Sequence, residues 1–292
     1  MTCMPEFSCS PRNLQIVLGL ATLLATIPTT VAAQQSGLDE IVVTSSRVPL
    51  PQKRIATSVA VLNAADIAAR GNNSLAAVLS FLPGTSVSSN GGSGQITSLR
   101  IRGEEGFRTL TVLDGIRLSD PASTQIAAQL EHLLSSGIGR VELLRGPQGL
   151  AYGTDAGGVL NITSPASREG MRLGMDMQSG TFDTQQYSGT LDGAADGKTL
   201  FLNLTDFSTA GFNILSTDSV LADADGYDNQ SLHLKTSMEF AQNWQVELVH
   251  RQSTAETTYD YCFNNSFALI HDCNSEYELQ ASRVALAYQT EL

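Results

Sequence analysis

Residues 110–118 of this chain read Leu-Thr-Val-Leu-Asp-Gly-Ile-Arg-Leu, and this stretch predicts a β-hairpin. Asp114-Gly115 supplies two residues that tolerate the positive φ of a type I′ turn, and hydrophobic residues flank the turn on both sides. Around the hairpin, strand patterns and helical patterns alternate along the chain. The strand patterns cover 57–62, 99–103, 140–144 and 157–162, and an amphipathic helix is predicted over 124–134. We therefore predict a small α+β domain over residues 55–165.

Two further helices of this domain are predicted from their end signals. Asn63 suits an N-cap, with Asp66 in the first turn of the helix that follows. Apolar residues recur at helical spacing between Leu75 and Leu82, and Pro83-Gly84 should end that helix.

Beyond residue 170 the pattern changes to amphipathic strands. The predicted strands are Met171–Gln178, Thr184–Leu191, Thr199–Phe207, Ser231–Phe240, Trp244–Gln252 and Glu278–Tyr288. In the fourth of these, Leu232 and Leu234 share one face while His233 and Lys235 share the other. This alternation is typical of outer-membrane barrel strands, and a soluble antiparallel sandwich has the same period. No helix of spanning length is predicted after residue 33, so only a closed barrel could carry this part of the chain across a membrane.

The N-terminus has the pattern of a cleaved signal peptide, residues 1–33. Arg12 precedes an apolar run from Leu14 to Ile27, and Val31-Ala32-Ala33 offers small residues for cleavage before Gln34. The alternative is a short membrane anchor. The apolar run is, however, shorter than a helix that spans a bilayer requires. We expect export.

Composition and motifs exclude two functional classes. The chain has 17 Lys+Arg against 29 Asp+Glu, a net charge of −12, which disfavours a nucleic-acid partner. Its four histidines are scattered, and neither a His-Glu-x-x-His nor a Gly-x-Ser-x-Gly motif is present. We therefore expect a protein that is not an enzyme.

Cleavage of the signal peptide would remove Cys3 and Cys9 and leave Cys262 and Cys273. In an oxidising compartment this pair can form a disulfide. The alternative is a metal site, for which His271 is near but further ligands at suitable spacing are missing. The disulfide is favoured.

Residues 39–44 form a short segment of high strand propensity between polar flanks. It is either the first strand of the next domain or an extended docking peptide that adds to another protein's sheet.

Together with this segment, seven motifs in order along the chain resemble TonB-dependent outer-membrane receptors, and among them the cobalamin transporters. Residues Asp39, Glu40, Ile41, Val42, Val43 and Thr44 are similar to a TonB box. The motifs that resemble the plug domain of the family are 82–84, 90–95, 101–103, 112–118, 141–147, 152–156 and 157–162. The loop 90–95 is what points to the cobalamin branch.

The resemblance implies a fold and a domain order. The fold class is an α+β plug domain followed by antiparallel transmembrane β-barrel strands, in a family whose barrels have 22 strands around the plug. Because about six strands follow residue 170, we expect an incomplete barrel, from a fragment of a longer receptor or a truncated product. The expected order is signal peptide 1–33, TonB box and linker 34–54, plug 55–165 and the first part of the barrel 166–292.

The resemblance also implies a function. The complete receptor would sit in outer-membrane lipid of a Gram-negative bacterium and take up a scarce bulky nutrient, cobalamin being the best candidate. TonB would bind the TonB box by strand addition in the periplasm and move the plug. The alternatives are a siderophore (ferric chelate) receptor with the same architecture and a plug-only binding module without transport activity.

Two sets of site residues follow from the resemblance. Substrate contacts are expected from Asn90, Gly91, Gly92, Ser93, Gly94 and Gln95. The alternative interpretation is that these residues form only a flexible hairpin tip. No cofactor is required, but calcium is a candidate ligand of Asp223, Asp225 and Asp260, with Asp272 as a weaker member. The alternative for these residues is a solvated acidic loop.

Overall fold

The computed structural model of the protein describes residues 42–43, 50–51, 58–71, 74–121, 125–146, 157–215 and 223–288. The predicted signal peptide lies outside the described residues, as do Asp39, Glu40, Ile41 and Thr44 of the TonB box. The first described elements are strands β1 (Val42–Val43) and β2 (Leu50–Pro51), which pair antiparallel.

The predicted α+β domain is built on a five-stranded sheet. Its strands are β3 (Ser58–Asn63), β6 (Thr109–Leu113), β7 (Ile116–Leu118), β8 (Arg140–Arg145) and β9 (Gly158–Thr163). The order across the sheet is β3-β8-β9-β6-β7, and only β6 and β9 run parallel. The predicted hairpin is confirmed, since Asp114 (φ 44°) and Gly115 (φ 80°) make the turn between β6 and β7. A separate hairpin joins β4 (Thr85–Ser89) to β5 (Thr97–Ile101).

Two short α-helices, Ala64–Arg70 and Leu75–Leu79, cover this domain. Asn63 caps the first one as predicted: its Oδ1 accepts from Asp66 N (2.9 Å), and the Asp66 carboxylate accepts from Asn63 N (3.0 Å). The second helix is buried on its inner side by Leu75, Val78 and Leu79. None of the helices within the described residues is long and apolar enough to cross a membrane.

The helix predicted over 124–134 is wrong. In its described part, only Leu130–His132 is helical, and these three residues form a single 3-10 turn. A second described 3-10 turn, Gly106–Arg108, lies before β6. The cause is a long-range backbone pairing, because Leu75 N donates to Leu133 O (2.9 Å) and Ser74 bridges to Leu134. This pairing holds Leu133 in an extended conformation (φ −95°, ψ 106°) that an α-helix does not allow, while Leu130, Leu133 and Leu134 still reach the core.

A second sheet of six long strands follows the α+β domain. Its strands are β10 (Gly170–Ser179), β11 (Gln185–Ala195), β12 (Lys198–Phe212), β13 (Asp225–Ala241), β14 (Trp244–Tyr259) and β17 (Cys273–Tyr288). Each pairs antiparallel with its neighbour in chain order, and the small hairpin β15 (Cys262–Phe263) and β16 (Leu269–Ile270) lies between β14 and β17. All six predicted strands are confirmed, and most extend beyond the predicted bounds.

The faces of this sheet decide between the two architectures that its period allowed. The face toward the α+β domain buries many polar side chains, such as Asn203 (3% exposed), Asn229 (1%) and Ser253 (1%), together with a few apolar and aromatic ones such as Tyr227. The opposite face carries exposed apolar side chains such as Met175 (74% exposed) and Leu204 (48%). A soluble sandwich would bury its apolar face, so this inverted pattern is that of barrel strands.

The buried carboxylate of Asp114 joins the hairpin of the α+β domain to this sheet. It accepts hydrogen bonds from His233 Nε2 (2.8 Å), Lys235 Nζ (2.8 Å) and the backbone N–H of Ser164 (3.1 Å). Lys235 lies 3.8 Å from Glu247, which in turn pairs with Arg283 at 2.6 Å. Burial by itself would raise the pKa of Asp114, but the hydrogen bonds and charges of His233 and Lys235 outweigh it and lower the pKa to about 2.

We predict that Asp114→Asn destabilises the protein by roughly 2 to 4 kcal/mol at pH 7, because it removes the buried carboxylate that His233 and Lys235 share and leaves Lys235 only its longer contact with Glu247. In the wild type, the lowered pKa contributes roughly 2 kcal/mol that is present above pH ~4 and is lost as the pH falls through about 2. Urea unfolding followed by Trp244 fluorescence at pH 7, 4 and 2.5 measures both effects. Asp183→Asn, at an exposed turn, is the control, and an equal loss in that variant would contradict the assignment.

Candidate functional site

The described residues enclose a cavity of about 760 Å³ between the α+β domain and the end of the sheet where β14 stops and β17 begins. One wall comes from the loop 90–96 and from residues 118–121 and 128–133. The other wall comes from residues 257–261 and 275–279. Its volume is in the range of cavities that bind cofactor-sized ligands.

The structure divides the predicted substrate loop between two cavities. Asn90, Gly94 and Gln95 line the large one, whereas Gly91, Gly92 and Ser93 turn toward a smaller cavity of about 250 Å³ beside Phe207 and Tyr227. The loop is tied to the sheet, because Gln95 Nε2 donates to Thr258 O (2.8 Å) and Thr257 Oγ1 donates to Gly94 O (3.4 Å). It is therefore anchored at its second half instead of being a free hairpin tip.

Gly94 makes this anchoring feasible. Its φ of +74° favours glycine, and a Cβ at this position would lie 2.1 Å from Cδ2 of Tyr227. Only a residue without a side chain lets the loop backbone approach β13 this closely.

Three acidic side chains reach the large cavity, Asp120, Glu131 and Asp260. Glu276 and Glu278 also belong to its wall, but they alternate along β17 with the inward-facing Tyr277 and Leu279 and are exposed. Among the described residues that line the cavity there is no Lys or Arg. Burial raises the pKa of Glu131 to about 6, although a hydrogen bond from Thr97 N (3.3 Å) partly offsets it. The cavity is therefore acidic near pH 7.

A cluster of aromatic rings lies beside Glu131. The ring of His132 stacks on Tyr277 with 4.1 Å between centroids, and His132 Nδ1 lies 3.1 Å from the hydroxyl of Tyr227. Asn229 Nδ2 donates to the same hydroxyl at 2.8 Å. Burial lowers the pKa of His132 to about 4, so the ring is neutral near pH 7 and adds no positive charge. Glu131 and His132 were missed in the sequence because the pattern there predicted a helix.

The proposed calcium ligands lie at the same end of the sheet. Asp225 Oδ2 accepts from Ile214 N (2.7 Å), and the charges of Asp260, Asp223 and Asp272 all act on the Asp225 carboxyl. Within the part of the chain that the structure describes, however, no three His, Cys, Asp or Glu side chains are placed to hold a metal ion together. Calcium stays a prediction.

Cys262 and Cys273 form a disulfide, with 6.2 Å between their Cα atoms. It closes the base of the β15–β16 hairpin, beside the cavity residues Asp260 and Tyr261. The hairpin carries exposed apolar side chains, of which Phe267 is 87% exposed.

Of the predicted TonB box, only Val42 and Val43 are described, and both are extended. Val42 pairs with Pro51 and Val43 with Leu50. Among the described strands, β1 pairs with β2 alone.

Comparison with known proteins gives both a domain and a fold. Residues 51–160 match the family model of the TonB-dependent receptor plug domain. The chain is 28% identical over 249 residues to the vitamin B12 transporter BtuB of Vibrio vulnificus (strain YJ016), covering 84% of this chain and 40% of that protein. It therefore spans well under half the length of this curated relative.

Solved structures of receptors share the fold. FpvA of P. aeruginosa, solved with bound pyoverdines, superposes with a TM-score of 0.66 at 13% identity, over 85% of this chain and 34% of that one. The ferric yersiniabactin uptake receptor FyuA of Yersinia pestis gives 0.61 at 19% identity, over 80% and 39%. At these identities the likeness concerns the fold alone, an α+β plug domain followed by antiparallel strands.

We predict that Gly94→Ala weakens ligand binding at least tenfold, because its Cβ would displace the loop from Tyr227. The matched control is Gly71→Ala, which has a similar φ of +60° but no atom within 4 Å of the added Cβ. That variant should lose about 1 kcal/mol of stability and keep its affinity. Ligand titration and thermal unfolding of both variants measure the difference, and equal affinities would show that the loop position does not matter.

Proposed function

Because this chain carries the plug domain of TonB-dependent receptors, followed by strands of their fold, we propose that it acts in TonB-energised uptake of a bulky nutrient across the outer membrane of a Gram-negative bacterium. The observation that carries the proposal is the cavity of about 760 Å³ between plug and strands. The outward rows of Met and Leu on the long sheet support contact with lipid. A plug-only binding module would have no use for those rows. The role is that of a receptor, in which binding and movement of the plug replace covalent chemistry.

Cobalamin is the cargo that we propose. The similarity to a vitamin B12 transporter supports it, and so does the charge of the cavity, independently. Cobalamin with water on its cobalt(III) is a cation, and a lining with Asp120, Glu131 and Asp260 but no described Lys or Arg suits a cationic or neutral ligand.

A ferric chelate is the second candidate, because receptors for such cargo share the fold. Ferric chelates of catecholates are anions, however, and three carboxylates around an anion of this kind would repel it. The acidic lining therefore favours cobalamin.

We predict saturable binding of aquocobalamin to the protein in detergent and no binding of a ferric tricatecholate under the same conditions. Glu131→Gln should weaken aquocobalamin binding roughly threefold to tenfold at pH 7.5, because it removes a carboxylate from the cavity. The difference should disappear at pH 5, below the pKa of about 6, where the wild-type side chain is neutral too. Glu239→Gln, at an exposed position near the other end of β13 and outside the cavity wall, is the control. Tight binding of the ferric tricatecholate without binding of aquocobalamin would reverse the choice of cargo.

Uptake would depend on strand addition of TonB to residues Asp39, Glu40, Ile41, Val42, Val43 and Thr44. Strand addition loads several backbone hydrogen bonds together, which suits a segment that transmits a pull to the plug. The extended backbone of Val42 and Val43 supports this role.

In the complete receptor, we expect Val42→Pro to abolish energy-dependent uptake of labelled cobalamin by cells and to leave surface binding at 4 °C unchanged. Proline removes one N–H donor from the strand that TonB would extend. Val42→Ile keeps both the donor and the strand propensity, so it should retain uptake. Normal uptake by the proline variant would place the docking segment elsewhere.

Calcium would order the loops at the rim of the cavity. Asp223 and Asp225 lie at the start of β13, whereas Asp260 and Asp272 flank the β15–β16 hairpin, and a cation shared by them would offset their repulsion. Ordering the loops before the cargo arrives lowers the entropic cost of binding.

We therefore predict that calcium tightens cobalamin binding several-fold relative to a chelator, and that Asp223→Asn combined with Asp225→Asn removes the effect. Titrations with and without calcium measure it. Asp196→Asn, at an exposed turn at the other end of the sheet, should respond like the wild type. An unchanged wild-type affinity after chelation would identify a solvated acidic loop.

A further inference from the structure

Arg251 is a buried cation without a partner in the interface between plug and sheet. It lies on β14 opposite His233 of β13 and Ala281 of β17, and only 8% of it is exposed. Its Nε makes no hydrogen bond to any atom of the described residues. Arg283, the other arginine on this face of β14 and β17, is bonded to Glu247 at 2.6 Å.

The acidic groups that bond to the neighbours of Arg251 are already occupied. Asp114 accepts from His233 Nε2, Lys235 Nζ and Ser164 N, and Lys235 and Arg283 share Glu247. None of the ion pairs formed within the described chain includes Arg251. Within the described parts of β13, β17 and the plug, therefore, no carboxylate pairs with the guanidinium.

Arg251 and His233 line a small cavity of about 20 Å³ against the plug residues Leu133, Leu134, Ser136 and Gly137. His233 Nδ1 is buried and, like Arg251 Nε, has no hydrogen-bond partner among the described residues. Ser136 Oγ already bonds to Ser188 and Thr205 of the sheet. Two residues that each carry an unsatisfied buried nitrogen atom thus line one cavity, with walls from both parts of the protein.

The size and the charge of this cavity restrict what it can bind. About 20 Å³ holds one water or one monatomic ion, and is too small for sulfate or phosphate. Water could accept a hydrogen bond from Arg251 but would leave its charge uncompensated, which is costly in a buried site. A halide accepts hydrogen bonds from N–H groups and supplies the missing charge.

We propose that this cavity is a halide site, for chloride under natural conditions, which ties the plug segment 133–137 to β13 and β14. The ion accepts from the guanidinium of Arg251. The site does not depend on which cargo the receptor takes. Its loss should loosen the plug from the sheet.

The experiment measures thermal unfolding of the detergent-solubilised protein by circular dichroism. It compares solutions of sodium chloride, sodium bromide and sodium sulfate at equal ionic strength. Both halides should raise the midpoint by about 2 to 5 °C over sulfate. Arg251→Met should abolish the difference, since it removes the charge and keeps an unbranched side chain. Arg283→Met removes a paired arginine of the same face, and should lower the midpoint while keeping the halide response.

Diffraction at the bromine absorption edge from crystals grown in bromide provides a measurement that needs no variant. An anomalous peak beside Arg251 and His233 is expected. A water without anomalous signal at that position, or an equal response of all three proteins to the three salts, would overturn the proposal. If Arg251→Met does not fold, the diffraction result decides alone.

Discussion

The carboxylate of Asp114 is the contact on which the arrangement of plug and sheet depends. It projects from the tight turn between β6 and β7 and receives two side chains from one strand, His233 and Lys235, at 2.8 Å each. These residues are two apart, so they share the inward face of β13. A slip of β13 by one residue would present Leu232 and Leu234 instead and bury the carboxylate without a partner. One buried charge therefore helps to set both the register of β13 and the position of the plug against the sheet.

The interface around this contact is largely polar, although Val249 of β14 joins the main hydrophobic core and Leu134 of the plug packs with Phe207 and Tyr227 of the sheet. The turn at Ser136 and Gly137 packs on Asn203, where a Cβ on Gly137 would lie 2.6 Å from the Asn203 side chain. Asn203, Thr205 and Ser188 then bond to one another and to Ser136. Such hydrogen bonds can be exchanged for bonds to water at small net cost, whereas separating an apolar core exposes its whole surface. A plug held in this way is stable in place and suited to the movement that the proposed function requires.

The shape and the charge of the large cavity also depend on residues from both the plug and the sheet. The plug contributes Glu131 and His132, the sheet contributes Tyr277, and the loop after β14 contributes Asp260. The stacked rings offer a flat surface, and the carboxylates give the walls their charge. Neither part forms the cavity alone, so movement of the plug would change its shape.

The sequence by itself determined the elements whose causes are local. The Asp114-Gly115 turn, the Asn63 cap and the six amphipathic strands depend on neighbouring residues, and the structure contains all of them. Only the tertiary structure decided which face of the long strands turns inward, because a period of two is the same for a barrel and a sandwich. It also decided the form of residues 125–134, where pairing with Ser74 and Leu75 prevails over helical spacing. The partners of Asp114 lie 119 and 121 residues away. No local pattern records a contact at that distance, since it exists only when the chain has folded.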